Sequence, residues 1–354
     1  MTKQTYLNPV WLTGRYAAAD SGLPLAGGSL FFSGCEVARR EANKSAEIAR
    51  DVLAIPDLVG IEGAPAKLQT LSAPRPPFAG LTFERPRIMG VLNVTPDSFS
   101  DGGDRVDPAL AIADGQAMWD AGAAILDVGG ESTRPGAGTV PVDAELRRVL
   151  PVVQGLAEAG YRVSIDTRNA RTMREAVAAG AQIVNDVTGL TGDRESLHTA
   201  AALGVPVILM HMQGTPQTMQ QNPVYADPAL DVYDQLAQRV AVCEAAGIPR
   251  ERIAVDPGFG FGKNVHHNMA ILNRLGLYQG LGVPVLLGLS RKSTLAKLSQ
   301  GEAPKDRLPG SLAGALAGVQ RGVQLLRVHD AAATAQALAV AWAAETLDIP
   351  EAMA

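Results

Sequence analysis

The sequence predicts a (β/α)8 TIM barrel with an N-terminal extension, and three observations carry that prediction. From Arg87 onward, eight short apolar runs alternate with Ala-rich amphipathic stretches. Several of the amphipathic stretches stop at Gly, which ends helices. Polar residues gather at the ends of the apolar runs. The extension is assigned to residues 1–84, packed on the barrel, and the barrel to residues 85–354.

The predicted strands are Ile88–Leu92, Ile125–Val128, Val163–Ile165, Ile183–Val184, Val207–Met210, Ile253–Val255, Val283–Gly288 and Leu325–Val328. Helical patterns fall at Ala109–Asp120, Ala144–Glu158, Ala170–Ala179 and Pro228–Ala246. An open doubly wound sheet is the alternative, but eight consecutive units with no break favour closure. Before residue 80 no repeating strand or helix signal is seen. A strand is expected at Ser29–Phe32, a helix at Glu41–Leu53, and a Pro- and Gly-rich linker at Ser72–Gly80. Leu81–Glu84 reads as a short strand across the barrel floor.

Composition narrows the function classes. Of the 354 residues, 47% are hydrophobic and 19% charged, which suits a globular core. Aromatics are only 5%, so Ala, Val, Leu and Gly do most of the packing, as parallel α/β architecture allows. A net charge of −5 gives no reason to expect nucleic acid as a partner. No apolar run is long enough to cross a membrane, and the start lacks the order of a signal peptide, so the cytoplasm is expected. Cys35 and Cys243 show neither disulfide nor metal spacing and are read as reduced.

The ends of the runs carry the chemistry. They hold Asn93, Asp127, Asp166, Asn185 with Asp186, His211, Asp256, Ser290–Lys292, and Arg327 with His329. A barrel brings all strand C-termini to one face, where such enzymes keep their sites. Asp166, Asn185 and Asp256 offer an acceptor-rich set that fits the N–H edge of a pterin or guanine, with Lys292 toward a ring oxygen. A salt-bridge network closing the mouth is the alternative, though it leaves the Asn unexplained. Arg327 and His329 alternate along the last strand and share a side. With Asn93 and the hydroxyls of Ser132 and Thr133 they would make a phosphate or diphosphate pocket.

Two long Gly- and Ser-rich loops, Thr95–Gly103 and Gly129–Gly136, would close over a ligand, and Phe99 in the first suggests a contact there. Gly258-Phe-Gly-Phe-Gly262 lacks the spacing of a dinucleotide-binding loop. Its glycines are read as letting the backbone lie close to the mouth.

These same segments resemble the dihydropteroate synthase family. Ile88-Met-Gly-Val-Leu-Asn-Val-Thr-Pro-Asp-Ser-Phe-Ser-Asp-Gly-Gly103 is similar to its first pterin-binding motif, and Leu126-Asp-Val-Gly-Gly-Glu-Ser-Thr-Arg-Pro-Gly136 to its second. Ser164–Thr167, Val184–Gly189, Met210–Pro216, Asp256–Lys263, Ser290–Ser293 and Arg327–Asp330 follow in the family's order, so the resemblance covers the chain after about residue 85. It implies that Asp166, Asn185, Asp256, Lys292 and Arg327 hold the pterin. It implies that Asn93, Ser132, Thr133, Arg327 and His329 bind the diphosphate, with Asn93 also a ligand to Mg2+. Phe99, Thr133, Pro135, Phe261 and Ser293 would receive 4-aminobenzoate, and a homodimer through the late helices is implied. The family often has an aromatic where this chain has Thr294, which predicts looser packing below the aminobenzoate site. The extension carries no motif and is read as structural. A pterin-dependent methyltransferase barrel and a non-catalytic binding protein are the rival readings.

Overall fold

A computed structural model of the chain describes residues 3–14, 22–41, 44–95, 107–132, 138, 140–215 and 218–347. The extension contains more structure than its sequence suggests. Strands β1 (Lys3–Gly14), β2 (Leu23–Pro24), β3 (Leu30–Glu41) and β4 (Lys44–Ala54) form an antiparallel sheet in which β3 pairs with the other three. The expected strand at Ser29–Phe32 is the beginning of β3. The expected helix at Glu41–Leu53 is wrong: that segment is largely β4. Its Ala, Glu, Arg and Leu content favours a helix locally, but pairing from Gly34↔Ala54 to Glu41↔Lys44 overrides the preference.

Helices α1 (Ile55–Leu58) and α2 (Ala64–Ser72) complete the extension. Leu58, Leu68 and Leu71 pack on Leu7, Phe32, Cys35 and Val37 of the sheet, giving it a core of its own. Cys35 and Cys243 are both buried and free. The sheet is tied to the barrel by charge: Arg40 pairs with Asp231 and Asp234, Arg50 with Asp227, and Arg274 with Glu36 at 3.1 Å.

Ser72–Gly80 is not a free linker. Arg75 is buried and donates to the Gln279 backbone oxygen at 2.6 Å and to the carbonyls of Thr70 and Ala73. Phe78 is fully buried and packs with Met89, Ile125, Ile183, Ile208, Ala254, Leu286 and Leu325, the inward-facing floor of the barrel. A single antiparallel bridge, Phe78↔Leu81, replaces the strand expected at Leu81–Glu84.

The barrel then runs β5 (Arg87–Asn93), α3 (Pro108–Asp120), β6 (Ala123–Gly129), α4 (Val142–Glu158), β7 (Val163–Asp166), α5 (Ala170–Ala178), β8 (Ile183–Asp186), α6 (Ser196–Leu203), β9 (Val207–Met210) and α7 (Pro228–Ala245). It continues through β10 (Ile253–Asp256), α8 (Val265–Asn273), β11 (Leu286–Leu287), α9 (Ser293–Leu298), α10 (Leu308–Val319), β12 (Leu325–Val328) and α11 (Ala331–Thr346). All eight strands are parallel, in the order β10-β9-β8-β7-β6-β5-β12-β11. A parallel bridge between Val255 and Val285 closes the circle, with the Val255 N–H donating to the Pro284 oxygen at 2.9 Å. β11 is shorter than the predicted Val283–Gly288 run. Pro284 has no N–H to donate, so the ladder there is thin. The helix-ending glycines 122, 160, 180 and 247 all have positive φ, which a side chain would resist.

Candidate active site

The site follows from the two-residue period of the strands. The apolar floor is Met89, Ile125, Ile183, Ile208, Ala254, Leu286 and Leu325. Two residues further along the same strands, facing the same side, stand Val91, Asp127, Asn185, Met210, Asp256, Gly288 and Arg327, with Asp166 following Ser164 on β7. One step toward the strand C-termini therefore brings Asp127, Asp166, Asn185, Asp256 and Arg327 into a lining that is otherwise apolar.

Four of these side chains meet across the barrel. Arg327 donates from Nε to Asp127 Oδ2 at 2.6 Å and from Nη2 to Asp166 Oδ2 at 2.7 Å. Asn185 Nδ2 donates to the same Asp127 oxygen at 3.0 Å. Asp256 Oδ1 accepts from the Gly258 N–H at 2.7 Å. Two glycines lie beside the acids, where a Cβ would make only ordinary van der Waals contact. A Cβ on Gly129 would stand 3.4 Å from the Asp166 side chain, and one on Gly288 would stand 3.5 Å from Asp256 Oδ2.

Burial displaces the titrations. It pushes Asp166 up to about 7 against the opposing pull of Arg327, with Asp127 adding a like charge. Burial also raises Asp256, although Lys292 and the Gly258 hydrogen bond work the other way. Burial lowers Lys292 to about 8 despite the nearby Asp256 carboxylate. Such displacements concentrate where ligands are handled.

The loop after β10 is clamped between two lysines. Lys292 donates to the Phe259 oxygen and lies 4.5 Å from the centre of the Phe261 ring. From beneath, the buried Lys263 reaches the Gly258 oxygen at 2.9 Å, the Phe261 oxygen at 2.9 Å and His211 Nδ1 at 2.9 Å. Gly258 has positive φ, and a Cβ there would lie 1.9 Å from the His211 oxygen, so only glycine fits.

The structure brings Asp166, Asn185, Asp256, Lys292 and Arg327 together at one mouth. Asn93 ends β5 and is half-buried, and Ser132 is half-buried just past β6. His329 follows β12; the Ser290 hydroxyl lies 3.1 Å from its Nδ1 and accepts its backbone N–H at 3.2 Å. Arg327 and His329 do not form a bare cationic pair. Arg327 turns to the carboxylates, so the salt-bridge alternative is realised in part. Ser293 is exposed at the start of α9. Phe99, Thr133 and Pro135 lie outside the described residues. The looser packing expected at Thr294 is not found: it is buried, and its hydroxyl accepts from Asn268 Nδ2 at 2.9 Å.

Sequence reasoning gave no role to Asp127, Lys263 or the ion pair of Glu131 with Arg168 at 2.9 Å. For Asp127 the signal was parity: an acid inside an apolar run, at an inward position two residues before Gly129. For Lys263 the contact with His211, just past β9 and 52 residues earlier, is one that the neighbouring sequence does not announce.

A closed barrel with an ionic layer at its mouth defines a small-molecule site of the kind barrel enzymes use. Comparison with known proteins narrows the class. The model of the pterin binding enzyme family matches residues 89–329. Dihydropteroate synthase of Escherichia coli (strain K12) is 46% identical over 261 residues, covering 73% of this chain and 92% of that protein. The Haemophilus influenzae enzyme of the same name is 46% identical over 262 residues, covering 73% and 94%. The solved structure of Xanthomonas albilineans dihydropteroate synthase with 4-aminobenzoic acid matches at a TM-score of 0.72 and 48% identity, covering 78% of this chain and 99% of that one. The same enzyme in complex with 7,8-dihydropteroate matches at a TM-score of 0.69 and 45% identity, covering 78% and 100%. The chain belongs to the pterin-binding enzyme family and, within it, to the dihydropteroate synthases.

Proposed function

We infer that this chain is an alkyl-group transferase that condenses (7,8-dihydropterin-6-yl)methyl diphosphate with 4-aminobenzoate, giving 7,8-dihydropteroate and diphosphate in folate biosynthesis. The observation that carries this reading is the inward layer of Asp166, Asn185 and Asp256, three acceptor-bearing side chains buried at one barrel mouth in a member of that family. They would receive the N–H edge of the pterin, with Lys292 at its ring oxygen and Arg327 along its face.

The reaction breaks the bond between the methylene carbon and the diphosphate oxygen, and the electron pair leaves with the diphosphate. The electron-rich pterin stabilises the cationic methylene. The aniline nitrogen then forms the new C–N bond and gives up a proton. Asn93, Ser132, Thr133, Arg327 and His329 would hold the departing anion, and Phe99, Thr133, Pro135, Phe261 and Ser293 the aminobenzoate. The chain's main contribution is positioning and electrostatic stabilisation. A pterin-dependent methyltransferase would have no use for the diphosphate residues, which disfavours that rival.

Asn93 suits Mg2+. Its amide oxygen is a hard donor, and Mg2+ commonly takes one or two protein ligands with the rest of its shell from phosphate and water. The ion would neutralise charge on the leaving diphosphate. We place the enzyme in the cytoplasm; among the described residues no helix is long and apolar enough to cross a membrane. We also propose a homodimer through α11, whose Ala-rich surface buries only Ala331 and Thr334 in one chain.

Diphosphate release by the purified protein, with the dihydropterin diphosphate and Mg2+, tests the reading. Release coupled to dihydropteroate formation is expected with 4-aminobenzoate, and Asp256→Ala should reduce it by at least about a hundredfold, the scale of losing a buried charged contact. Pterin binding without turnover would instead make the chain a binding protein.

A further inference from the structure

We propose that Asp127 is a positioning residue that sets which face of the Asn185 amide the pterin meets, and so helps decide which pteridine the site accepts. The inference rests on the functional reading above. Asp127 is fully buried, more so than Asp166, Asn185 or Asp256. Its register row is Asp127↔Ser164↔Ile183, whereas Asn185 aligns with Asp166. The stagger of the barrel strands nonetheless sets Asp127 in the same inward layer as Asn185, each two residues past a floor residue, Ile125 and Ile183.

The bond between them has only one sensible sense. A carboxylate paired with an arginine accepts hydrogen bonds and does not donate them, so the amide group 3.0 Å from Asp127 Oδ2 must be the nitrogen. In a planar carboxamide the oxygen then points the other way, toward the mouth. Turning the amide over would set its oxygen against the Asp127 carboxylate. Asn185 is thus held as an acceptor beside Asp166 and Asp256, and the pocket presents acceptors to an edge rich in N–H groups.

The same Asp127 oxygen also accepts from Arg327 Nε, while Oδ1 is buried with no hydrogen-bond partner among the described residues. A buried carboxylate oxygen with no partner is unusual. Here the other oxygen orients two site residues at once. An Asn at this position would keep the shape but offer Asn185 either a donor or an acceptor, releasing the constraint.

Affinities of pterin and of its 2-oxo analogue lumazine, measured by calorimetry on the wild type and on Asp127→Asn, test this. The wild type should prefer pterin, and the substitution should shrink the preference on the order of tenfold, because the site no longer rejects an acceptor in place of a donor. The KM for 4-aminobenzoate should not move. A variant that loses affinity for both pteridines equally, keeping the ratio, overturns the proposal, since a merely structural role would act that way. Should the variant fail to fold, side-chain amide NMR of the unliganded wild type decides, with the Asn185 signals identified by their loss in Asn185→Ser. One amide proton protected from exchange is expected; two freely exchanging protons overturn the proposal. A wild type that binds neither pteridine removes the functional reading and this inference with it.

Discussion

The N-terminal sheet and the barrel mouth are both rich in charge, yet they use it in opposite ways. Where the sheet meets the barrel, Arg40, Arg50 and Arg274 face Asp231, Asp234, Asp227 and Glu36, each charge answered by its opposite and all but Asp227 partly open to solvent. At the mouth, acids outnumber the bases that touch them, burial raises Asp166 and Asp256, and among the described residues Asp127 Oδ1 has no hydrogen-bond partner. The first arrangement is glue and the second is a receptor. Volume alone would mislead here. A cleft of about 690 Å³ opens between sheet and barrel, lined by Trp11, Glu36, Arg50, Arg274 and Arg321 among others. Most of its charged groups are already engaged: Arg50 and Arg274 with Glu36, Asp51 with Arg39, and Arg321 with the Asn273 and Ala317 carbonyls.

The largest effect that would sharpen this contrast lies at the junction. Phe78→Ala should cost about 3–5 kcal/mol in urea unfolding, because it empties the barrel floor. A cost below about 1 kcal/mol would mean that the segment is only a connection.

A middling effect is expected from Arg40→Met. It removes one partner each from Asp231, Asp234 and Tyr6, which keep others, and should destabilise by about 1–2 kcal/mol, reduced by partial solvent exposure. kcat/KM should be unchanged. A drop in turnover would break the division between glue and receptor.

The smallest effect is a pH dependence. Burial and the Lys263 charge hold His211 down at about 3, from an ordinary 6.5. Between those values the folded protein binds fewer protons there than the unfolded chain does. This contribution to stability is therefore present above 6.5 and lost as pH falls toward 3. Asp166 and Asp186, raised to about 7 and about 6 by burial, act in the opposite sense, costing stability as pH climbs from 3.8 through those values. The His211 part is isolated by comparison with His211→Asn. The stability advantage of the wild type should shrink by about 1 kcal/mol between about pH 7 and about pH 5.5. An advantage that stays constant would show that His211 is not held neutral.

By itself, the sequence determined the barrel and most of its mouth. Each strand-and-helix unit announces itself locally, through a short apolar run, an amphipathic stretch and a glycine that only a left-handed turn requires. Because the strands are parallel, a residue at a run's C-terminus has one destination, so Asp166, Asn185 and Asp256 could be grouped before any contact was known. Only the tertiary structure decided the rest. β4 is a strand because β3 lies beside it, not because its own residues prefer to be one. Phe78 is core because the floor has an opening of its size. Asp127 matters through Asn185 and Arg327 on other strands, and Lys263 in part through His211 just past β9, across distances in sequence that no local pattern spans. Local propensity and periodicity are written along the chain. Pairing partners, and the orientation of a buried amide, arise only when remote segments meet.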